Sequence, residues 1–260
     1  MMLYAGIRKV VLQMKLDRVI AVRNNKTVYR DGDKVIKLFS ESYSKAEIFN
    51  EAVNQARVEE IGLNIPKVLE VTKYEGKWAI VSEFIAGKTL AELMRENPEK
   101  TDEYISMFVD LQMSIHEKHD PLLNDLKETL WKKISITDLD ATQRYDLHNR
   151  LQAMPKHNKV CHGDFNTSNV VITSDGTPYI LDWAHVAQGN ASADVAKSFL
   201  LFRINGEHEL SEKYLTEFCE KSDVEMRYVK TWLPLVAAAR LAKGNENERD
   251  MLIKLVNYLG

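Results

Sequence analysis

The 260-residue chain is poor in cysteine, has no excess of basic charge and contains no long apolar run. Its two cysteines, Cys161 and Cys219, form neither a disulfide framework nor a zinc-binding pattern, so both thiols are expected to be buried and reduced. A net charge of −3 lacks the basic footprint of nucleic-acid-binding proteins. No segment reaches the ~18 apolar residues of a membrane span, and charge interrupts the N-terminus too often for a signal peptide. We therefore expect a soluble cytoplasmic protein without a nucleic-acid or membrane partner.

Strand patterns around a single helix dominate the first 85 residues. Three strands are predicted near 19–22, 27–30 and 35–39, and two more on either side of a Glu75-Gly76 turn. A helix is predicted between these two groups, over 44–61. Its predicted buried stripe consists of apolar residues at intervals of 3, 4 and 3: Ala46, Phe49, Val53 and Ala56. This order predicts a small antiparallel sheet that carries one helix.

Helical patterns prevail after Gly87. Thr89 and Glu92 match a capping box, and Thr101 is expected to cap a helix that ends near residue 117. Further helices are predicted over 193–202, 209–221, 224–243 and 248–259, with Pro234 beginning or kinking one of them. The sequence thus predicts an α+β fold with two lobes in one domain. Residues 1–85 would form an antiparallel sheet with one helix, and residues 86–260 would be mostly α-helical.

The segment from Cys161 to Asn169 carries the most specific pattern in the chain. Within it, Asp164 and Asn169 are five residues apart, which is the Asp-to-Asn spacing of a kinase catalytic loop. A hairpin predicted over 169–172 and 179–181 brings Asn169 close to Asp182. Phosphoryl transfer requires a carboxylate that takes the proton of a hydroxyl group and oxygen ligands for Mg²⁺. Each of these residues is common in solvated loops, but all three at these spacings indicate a phosphotransferase site.

Lys37 is a second feature that suggests phosphate chemistry. It lies on the third predicted strand, where it shares a face with Val35 and Phe39. A lysine on an apolar face is costly to desolvate unless a phosphate or a carboxylate meets it. The following helix offers Glu47 and Glu51 one turn apart, and the residues alone do not decide between them. Taken by itself, Lys37 is more simply explained as an edge-strand lysine that reaches solvent.

The histidines and large aromatic residues are expected to be structural. His162 is predicted to hydrogen-bond the backbone of its own loop, and His116 is predicted to lie in the core or to brace a loop. Four aromatic side chains could form a cage for choline, but core packing is the simpler expectation for them: Trp183, Tyr214, Tyr228 and Trp232.

Six segments, in order along most of the chain, together resemble the aminoglycoside phosphotransferase and choline kinase-like family, which has a shortened protein-kinase fold. They are Val-Ile-Lys37, Asn-Glu51-Ala, Val81 to Gly87, His162 to Asn169, Leu-Asp182-Trp and Gly189 to Ala196. The resemblance implies that Asp164 is the catalytic base and that Asn169 and Asp182 bind Mg²⁺. It also implies that Asp194 braces the catalytic loop from below.

The resemblance implies a nucleotide site as well. Lys37 would hold the α- and β-phosphates of ATP or GTP, with Glu51 rather than Glu47 as its partner. The nucleotide base would meet Val35, the Glu83 carbonyl and the Ile85 amide. Ser82 is small enough at the back of this pocket to admit adenine, although the choice between ATP and GTP stays open.

The chain departs from the family pattern in two places. Asn166-Thr167-Ser168 replaces the commoner His-Pro-Gly after the loop phenylalanine. The predicted phosphate loop, residues 23–26, contains no glycine.

The phosphate acceptor and the oligomeric state are left open. Residues 187–260 contain 11 acidic and 10 basic residues, without the acidic excess expected of a site for polycationic aminoglycosides. We expect a kinase of a small hydroxyl-bearing metabolite or aminoglycoside. The alternative is a non-catalytic nucleotide-binding regulatory protein on a kinase scaffold, which is disfavoured because Lys37, Asp164, Asn169 and Asp182 are all present. A protein substrate is disfavoured because no activation segment follows Asp182.

Overall fold

The computed structural model describes Leu16, residues 18–23 and residues 25–257, and it has the predicted α+β fold. Contacts within the chain divide these residues into two units. The first contains the described residues up to Phe49 together with Lys67–Phe84. The second contains Asn50–Pro66 and the described residues from Ile85 onward. The lobe boundary expected at residue 85 stays a prediction.

A five-stranded antiparallel sheet forms the first unit. Its strands are β1 (Arg18–Arg23), β2 (Lys26–Asp31), β3 (Lys34–Phe39), β4 (Val68–Tyr74) and β5 (Lys77–Glu83). They lie in the order β1-β2-β3-β5-β4, which confirms the expected antiparallel sheet. Ile36, Ala79 and Val81 pack together in its core. Their burial fixes the register of β3 against β5, because a slip of one residue would turn these side chains to the other face.

Helix α1 (Lys45–Glu60) follows β3 but buries a different face from the predicted one. The predicted stripe is wrong, because Ala46, Phe49, Val53 and Ala56 are exposed, whereas Ile48, Ala52 and Val58 are buried. The buried residues of α1 also include Glu51 and Asn54, so a count of apolar residues selects the wrong side. Phe49 stays outside the core because its ring packs edge-on against Trp78, with ring centroids 5.3 Å apart.

The second unit is mainly α-helical. Its helices after α1 are α2 (Leu90–Glu96), α3 (Thr101–His116), α4 (Leu126–Ser135), α5 (Ala141–Ala153), α6 (Ala191–Ile204), α7 (His208–Ser222), α8 (Met226–Thr231), α9 (Leu233–Leu241) and α10 (Glu246–Val256). Pro234 lies in the first turn of α9, as expected of a proline that begins a helix. Among the described residues, no helix is long and apolar enough to cross a bilayer.

The two predicted helix caps have different outcomes. The capping box of α2 is confirmed, since the Glu92 amide donates to the Thr89 hydroxyl (3.1 Å) and the Thr89 amide donates to the Glu92 carboxylate (2.8 Å). Thr101 is not the cap of α3. It lies inside the first turn, and its hydroxyl donates to the Pro98 carbonyl because a short 3₁₀ turn precedes the helix.

Five short strands interrupt the helices of the second unit. They are β6 (Gly87–Thr89), β7 (Lys159–Cys161), β8 (Val170–Thr173), β9 (Pro178–Ile180) and β10 (Ala187–Gly189). β8 and β9 form the predicted hairpin, with β6 paired to β8, and β10 pairs with β7. The end of β7 and the start of β8 therefore flank the loop of residues 162–169, and the end of β9 lies beside it.

Aromatic residues fill the core behind this loop. Phe165, which follows Asp164, stacks on Phe108 of α3 with ring centroids 4.3 Å apart. The expectation of core packing is confirmed for Trp183, Tyr214 and Trp232, which are all buried. The Tyr228 hydroxyl accepts a hydrogen bond from the Asn190 amide group. These residues therefore support the loop and do not form a cage for a cation.

Candidate active site

The loop from His162 to Asn169 and the segment after β9 meet at one place in the second unit. Asp164 follows β7, Asn169 directly precedes β8, and Asp182 follows β9. The Leu181 amide donates to the Asn169 carbonyl at 2.8 Å. This bond closes the open end of the hairpin, so Asn169 lies beside the residue that precedes Asp182.

Two asparagine side chains fix the backbone of Asp164. The side-chain amides of Asn166 and Asn169 each donate to the Asp164 carbonyl at 2.9 Å. Because the Asn169 nitrogen is used in this way, its side-chain oxygen is the atom left for a cation. In the described part of the chain, no hydrogen bond or ion pair occupies the Asp164 carboxylate. The loop thus holds this residue by its backbone and leaves its acidic group for a ligand.

The departure at Asn166-Thr167-Ser168 has a structural explanation. The Asn166 side-chain oxygen accepts a hydrogen bond from the Ser168 amide (3.0 Å) and caps the short 3₁₀ turn of residues 167–169. Asn166 therefore both starts this turn and holds the Asp164 carbonyl. The unusual triplet keeps the loop ordered without the commoner proline and glycine.

His162 is the structural histidine that the sequence predicts. Its Nε2–H donates to the Leu181 carbonyl (2.9 Å), and its Nδ1 accepts from the Asp164 amide (3.1 Å). Both partners together require the neutral tautomer with the proton on Nε2. Burial lowers the pKa of His162, in spite of the nearby charges of Asp194 and Asp164 that raise it. A neutral ring therefore ties this loop to the residue that follows β9.

Asp194 lies beneath the loop and accepts hydrogen bonds from four donors. They are the side chains of Gln112 (3.2 Å) and His116 (3.1 Å) and the backbone amides of His162 (3.1 Å) and Gly163 (2.7 Å). Burial would raise the pKa of Asp194, but the hydrogen bonds from His116 and Gly163 and the charge of His116 outweigh burial and hold it at about 2. The expectations that Asp194 and His116 brace the loop are confirmed by these contacts.

The path of the loop requires glycine at position 163. A substitution there therefore tests how rigidly the loop is packed. The φ of Gly163 is +77°, and a Cβ at this position would lie 2.3 Å from the His185 carbonyl oxygen. We expect Gly163→Ala to lower the free energy of unfolding by about 1–3 kcal/mol more than Gly176→Ala. Gly176 also has a positive φ (+86°) but no neighbouring atom within 4 Å, so it controls for backbone strain. Equal losses in urea unfolding would show that the close contact has no energetic role.

Asp182 and Asn169 form a partial set of oxygen ligands. The backbone of Asp182 is left-handed, with φ +60°, a conformation that aspartate adopts more readily than most residues. Within the described residues, no group of three or more His, Cys, Asp and Glu side chains could hold a metal by itself. One carboxylate and one amide oxygen instead suit Mg²⁺, which keeps several waters and takes phosphate oxygens. The pair therefore fits an ion that arrives with a nucleotide.

The residues predicted to bind nucleotide belong to both units. Val35 and Lys37 lie on β3 and Glu83 ends β5, whereas Glu51 and Ile85 belong to the second unit. The Glu47 carboxylate accepts from the amide (2.9 Å) and hydroxyl (2.7 Å) of Ser44 at the start of α1, while Glu51 is buried. Glu47 is thus already engaged, and the roles of all five residues stay predictions. Asn24, within the predicted phosphate loop, lies outside the described residues.

A group of basic side chains beside the loop was not predicted. A cavity of about 230 Å³ in the second unit is lined by apolar residues of α4, α6 and α9 and by basic residues: Lys133, His185, Lys197, Arg240 and Lys243. The amino group of Lys197 donates to the Gly163 carbonyl. Only Lys197 had a signal in the sequence, because it follows Asp194 by three residues and so shares its side of α6.

Comparison with known proteins shows which family and which fold the chain resembles. A sequence model of the phosphotransferase enzyme family matches residues 18–232. Among solved structures, aminoglycoside phosphotransferase APH(4)-Ia is 16% identical, with a TM-score of 0.68 over 92% of this chain and 90% of that one. A choline/ethanolamine kinase family protein from Mesorhizobium loti is 17% identical, with a TM-score of 0.61 over 94% and 89% of the chains. Aminoglycoside phosphotransferase APH(3'')-Id from Streptomyces rimosus is 16% identical, with a TM-score of 0.61 over 85% and 91%.

The search of curated proteins found no match. At identities of 16–17%, the solved structures establish the fold of the chain, and the predicted fold class is confirmed. One structure of a thermostable APH(4)-Ia mutant is a ternary complex with AMP-PNP and hygromycin B.

Proposed function

The chain belongs to the phosphotransferase enzyme family, and from this premise we propose that it transfers the γ-phosphoryl group of ATP or GTP to a hydroxyl group of a small molecule. Such transfer involves little covalent chemistry by the protein, so catalysis depends on positioning and charge stabilisation. The site must therefore hold a base, a metal-bound nucleotide and an acceptor in fixed relative positions.

The geometry of the catalytic loop carries this proposal. The amide and carbonyl of Asp164 are fixed by His162, Asn166 and Asn169, while its carboxylate takes no part in these bonds. The hairpin bond between Leu181 and Asn169 holds Asn169 beside the residue that directly precedes Asp182. A fixed backbone with an unengaged carboxylate is suited to a base that meets a substrate hydroxyl. A loop with a purely structural role would not need this arrangement.

Each residue has a role in the proposed reaction. The Asp164 carboxylate accepts a hydrogen bond from the acceptor hydroxyl and takes its proton as the new O–P bond forms. The bond between the γ-phosphorus and the β–γ bridging oxygen breaks in the same step, and the nucleoside diphosphate leaves. Asn169 and Asp182 would hold Mg²⁺, which would neutralise charge on the nucleotide phosphates. Lys37 contacts the α- and β-phosphates. Glu51 is proposed as its partner, because Glu47 is engaged by Ser44.

The nucleotide base is proposed to bind between the end of β5 and the side chain of Val35. The Glu83 carbonyl would accept from the base and the Ile85 amide would donate to it. This pattern of one acceptor and one donor suits either purine, so both ATP and GTP belong in the test.

The proposal is tested by nucleotide turnover with purified protein, Mg²⁺ and pooled acceptors. The pools contain aminoglycosides, choline and amino alcohols, sugars, nucleosides, and hydroxy acids with sugar phosphates. We expect one pool to stimulate formation of nucleoside diphosphate, with one phosphate added to the acceptor by mass spectrometry and no reaction after chelation of Mg²⁺. Nucleotide binding without turnover in any pool would favour the regulatory alternative. Absence of Mg²⁺-nucleotide binding at millimolar concentration would end the proposal.

A further inference from the structure

The cavity of about 230 Å³ is connected through Lys197, one of its lining residues, to the loop that carries the proposed base. Lys197 bonds the carbonyl of Gly163, the residue directly before Asp164. The charge of the Asp164 carboxylate raises the pKa of Lys133, Lys197 and Lys243, against the effect of burial. All three ammonium groups are therefore near enough to Asp164 to interact with its charge. An acceptor whose hydroxyl meets Asp164 would therefore place the rest of its atoms among these lysines.

The basic lining of the cavity is only partly neutralised by the protein. Arg240 is paired with Glu248 through two hydrogen bonds of 2.6 Å each. Lys133 and Lys243 take part in no ion pair with any residue that the structure describes. Lys197 donates to a neutral carbonyl. The cavity therefore contains an excess of positive charge close to the reaction site.

This excess is costly in the absence of a ligand. Burial lowers the pKa of Lys133, and the like charge of Lys243 lowers it further. Burial and the charge of Lys133 lower the pKa of Lys197 to about 7. No acidic side chain among the described residues lines the cavity. Of the carboxylates that act on these lysines, Glu248 is paired with Arg240 and Asp194 accepts from its four donors beneath the loop, which leaves those of Asp164 and Asp182. An anionic ligand would offset the desolvation and the mutual repulsion of the lysines.

We propose that the acceptor carries an anionic group, a phosphate or a carboxylate, which Lys133 and Lys243 bind while the acceptor hydroxyl faces Asp164. This inference rests on the proposed function and names the class of acceptor for the same site. Lys243 is exposed and Lys133 is half-buried, so neither ammonium group is closed off from a ligand.

The size and walls of the cavity restrict the acceptor further. The apolar wall includes Leu130, Leu200, Val236 and Ala239, which suit a short carbon skeleton. About 230 Å³ is less than the roughly 300–1,000 Å³ of pockets for drug-sized ligands. A polycationic aminoglycoside would bring charge of the wrong sign into this space. The acceptor is thus a small hydroxy acid or a sugar-sized phosphate monoester.

Matched acceptors test the charge requirement directly. Turnover is compared for glycerol, glycerate and glycerol 3-phosphate, for ribose and ribose 5-phosphate, and for choline and hygromycin B. We expect kcat/KM to be highest for an anionic member, and comparison of glycerate with glycerol 3-phosphate distinguishes carboxylate from phosphate. Turnover confined to neutral or cationic acceptors would overturn the inference and leave the proposed function intact. Nucleotide binding without turnover of any acceptor would overturn both.

Variants of the two lysines provide the second test. Lys133→Gln and Lys243→Gln are each expected to lower kcat/KM for the anionic acceptor about 10- to 100-fold, as expected for loss of a hydrogen bond to a charged group. Lys132→Gln is the matched control, because Lys132 is the adjacent residue of α4 but is exposed and paired with Glu128. It is expected to behave like the unmodified protein.

A binding measurement separates recognition of the acceptor from recognition of the transferred phosphoryl group. Inorganic phosphate and glycerate should raise the melting temperature of the unmodified protein and of Lys132→Gln, and raise it less in Lys133→Gln and Lys243→Gln. Equal losses of turnover for neutral and anionic acceptors in the two variants would overturn the inference. That result would assign the lysines to the transferred phosphoryl group.

Discussion

Asparagine in place of Asp164 is expected to lower acceptor-dependent phosphoryl transfer by roughly 10²–10⁴-fold, the usual contribution of a general base. The substitution keeps the size of the side chain and removes the charge that takes the proton. Because the loop is held through the Asp164 backbone, its fold and its affinity for nucleotide are expected to change little. Single-turnover kinetics with saturating nucleotide measure the chemical step without contributions from product release.

Asp175→Asn is the matched control for this experiment. Asp175 lies in the turn between β8 and β9, and its carboxylate accepts hydrogen bonds from Thr173 and Thr177. Asp175 belongs to the hairpin that follows the loop, and its side chain is exposed to solvent. Its replacement by asparagine is therefore expected to leave turnover unchanged. If Asp164→Asn retained more than about a tenth of the activity, Asp164 would act by orientation alone and another group would take the proton.

The order of the first five strands and the conformation of the loop around Asp164 could be predicted because both depend on local patterns. Alternation along the strands, the Glu75-Gly76 turn and the spacing from Asp164 to Asn169 are properties of neighbouring residues. These patterns gave the five-stranded sheet, the β8–β9 hairpin and the bracing role of His162 correctly. Such features need no knowledge of distant contacts.

Features set by distant contacts were not predicted. The buried face of α1 includes Glu51 and Asn54, whose burial depends on what packs over them and not on their hydrophobicity. Helix α5 buries only Leu147 and Leu151, so its sequence shows no apolar stripe. Helix α4 is a different case. Its buried residues Leu126, Leu130 and Ile134 recur at helical spacing, so this helix could have been predicted from the sequence.

The basic cavity illustrates the same limit at the site itself. Residues 187–260 are nearly balanced in charge, and this balance gave no indication of an anionic acceptor. The structure selects Lys197, Lys243 and Lys133 from three separate parts of the chain and places them around one space. Local charge at a site depends on which side chains the fold brings together, so total composition does not determine it.

The largest loss of stability is expected from Asp194→Ala. This change leaves four donors beneath the loop without an acceptor, in a position that is 2% exposed. Removal of one partner from a buried charged network costs about 3–5 kcal/mol. A loss of this size lowers the melting temperature by roughly 10 °C for a protein of this length. Fluorescence of the buried Trp183 and Trp232 reports unfolding of the same unit.

Acid titration separates the charge of Asp194 from its packing, with Asp194→Asn as the comparison. The pKa of Asp194 is about 2 in the folded protein against an ordinary value of 3.8, so the folded state binds this proton less tightly than the unfolded state. Ionised Asp194 therefore stabilises the fold above about pH 4, and this contribution, on the order of 2 kcal/mol, is lost as the pH falls towards about 2. Asparagine does not ionise, so the stability difference between the two proteins should shrink across this interval. A difference that stays constant from about pH 5 to about pH 2 would show that the charge of Asp194 does not hold the loop.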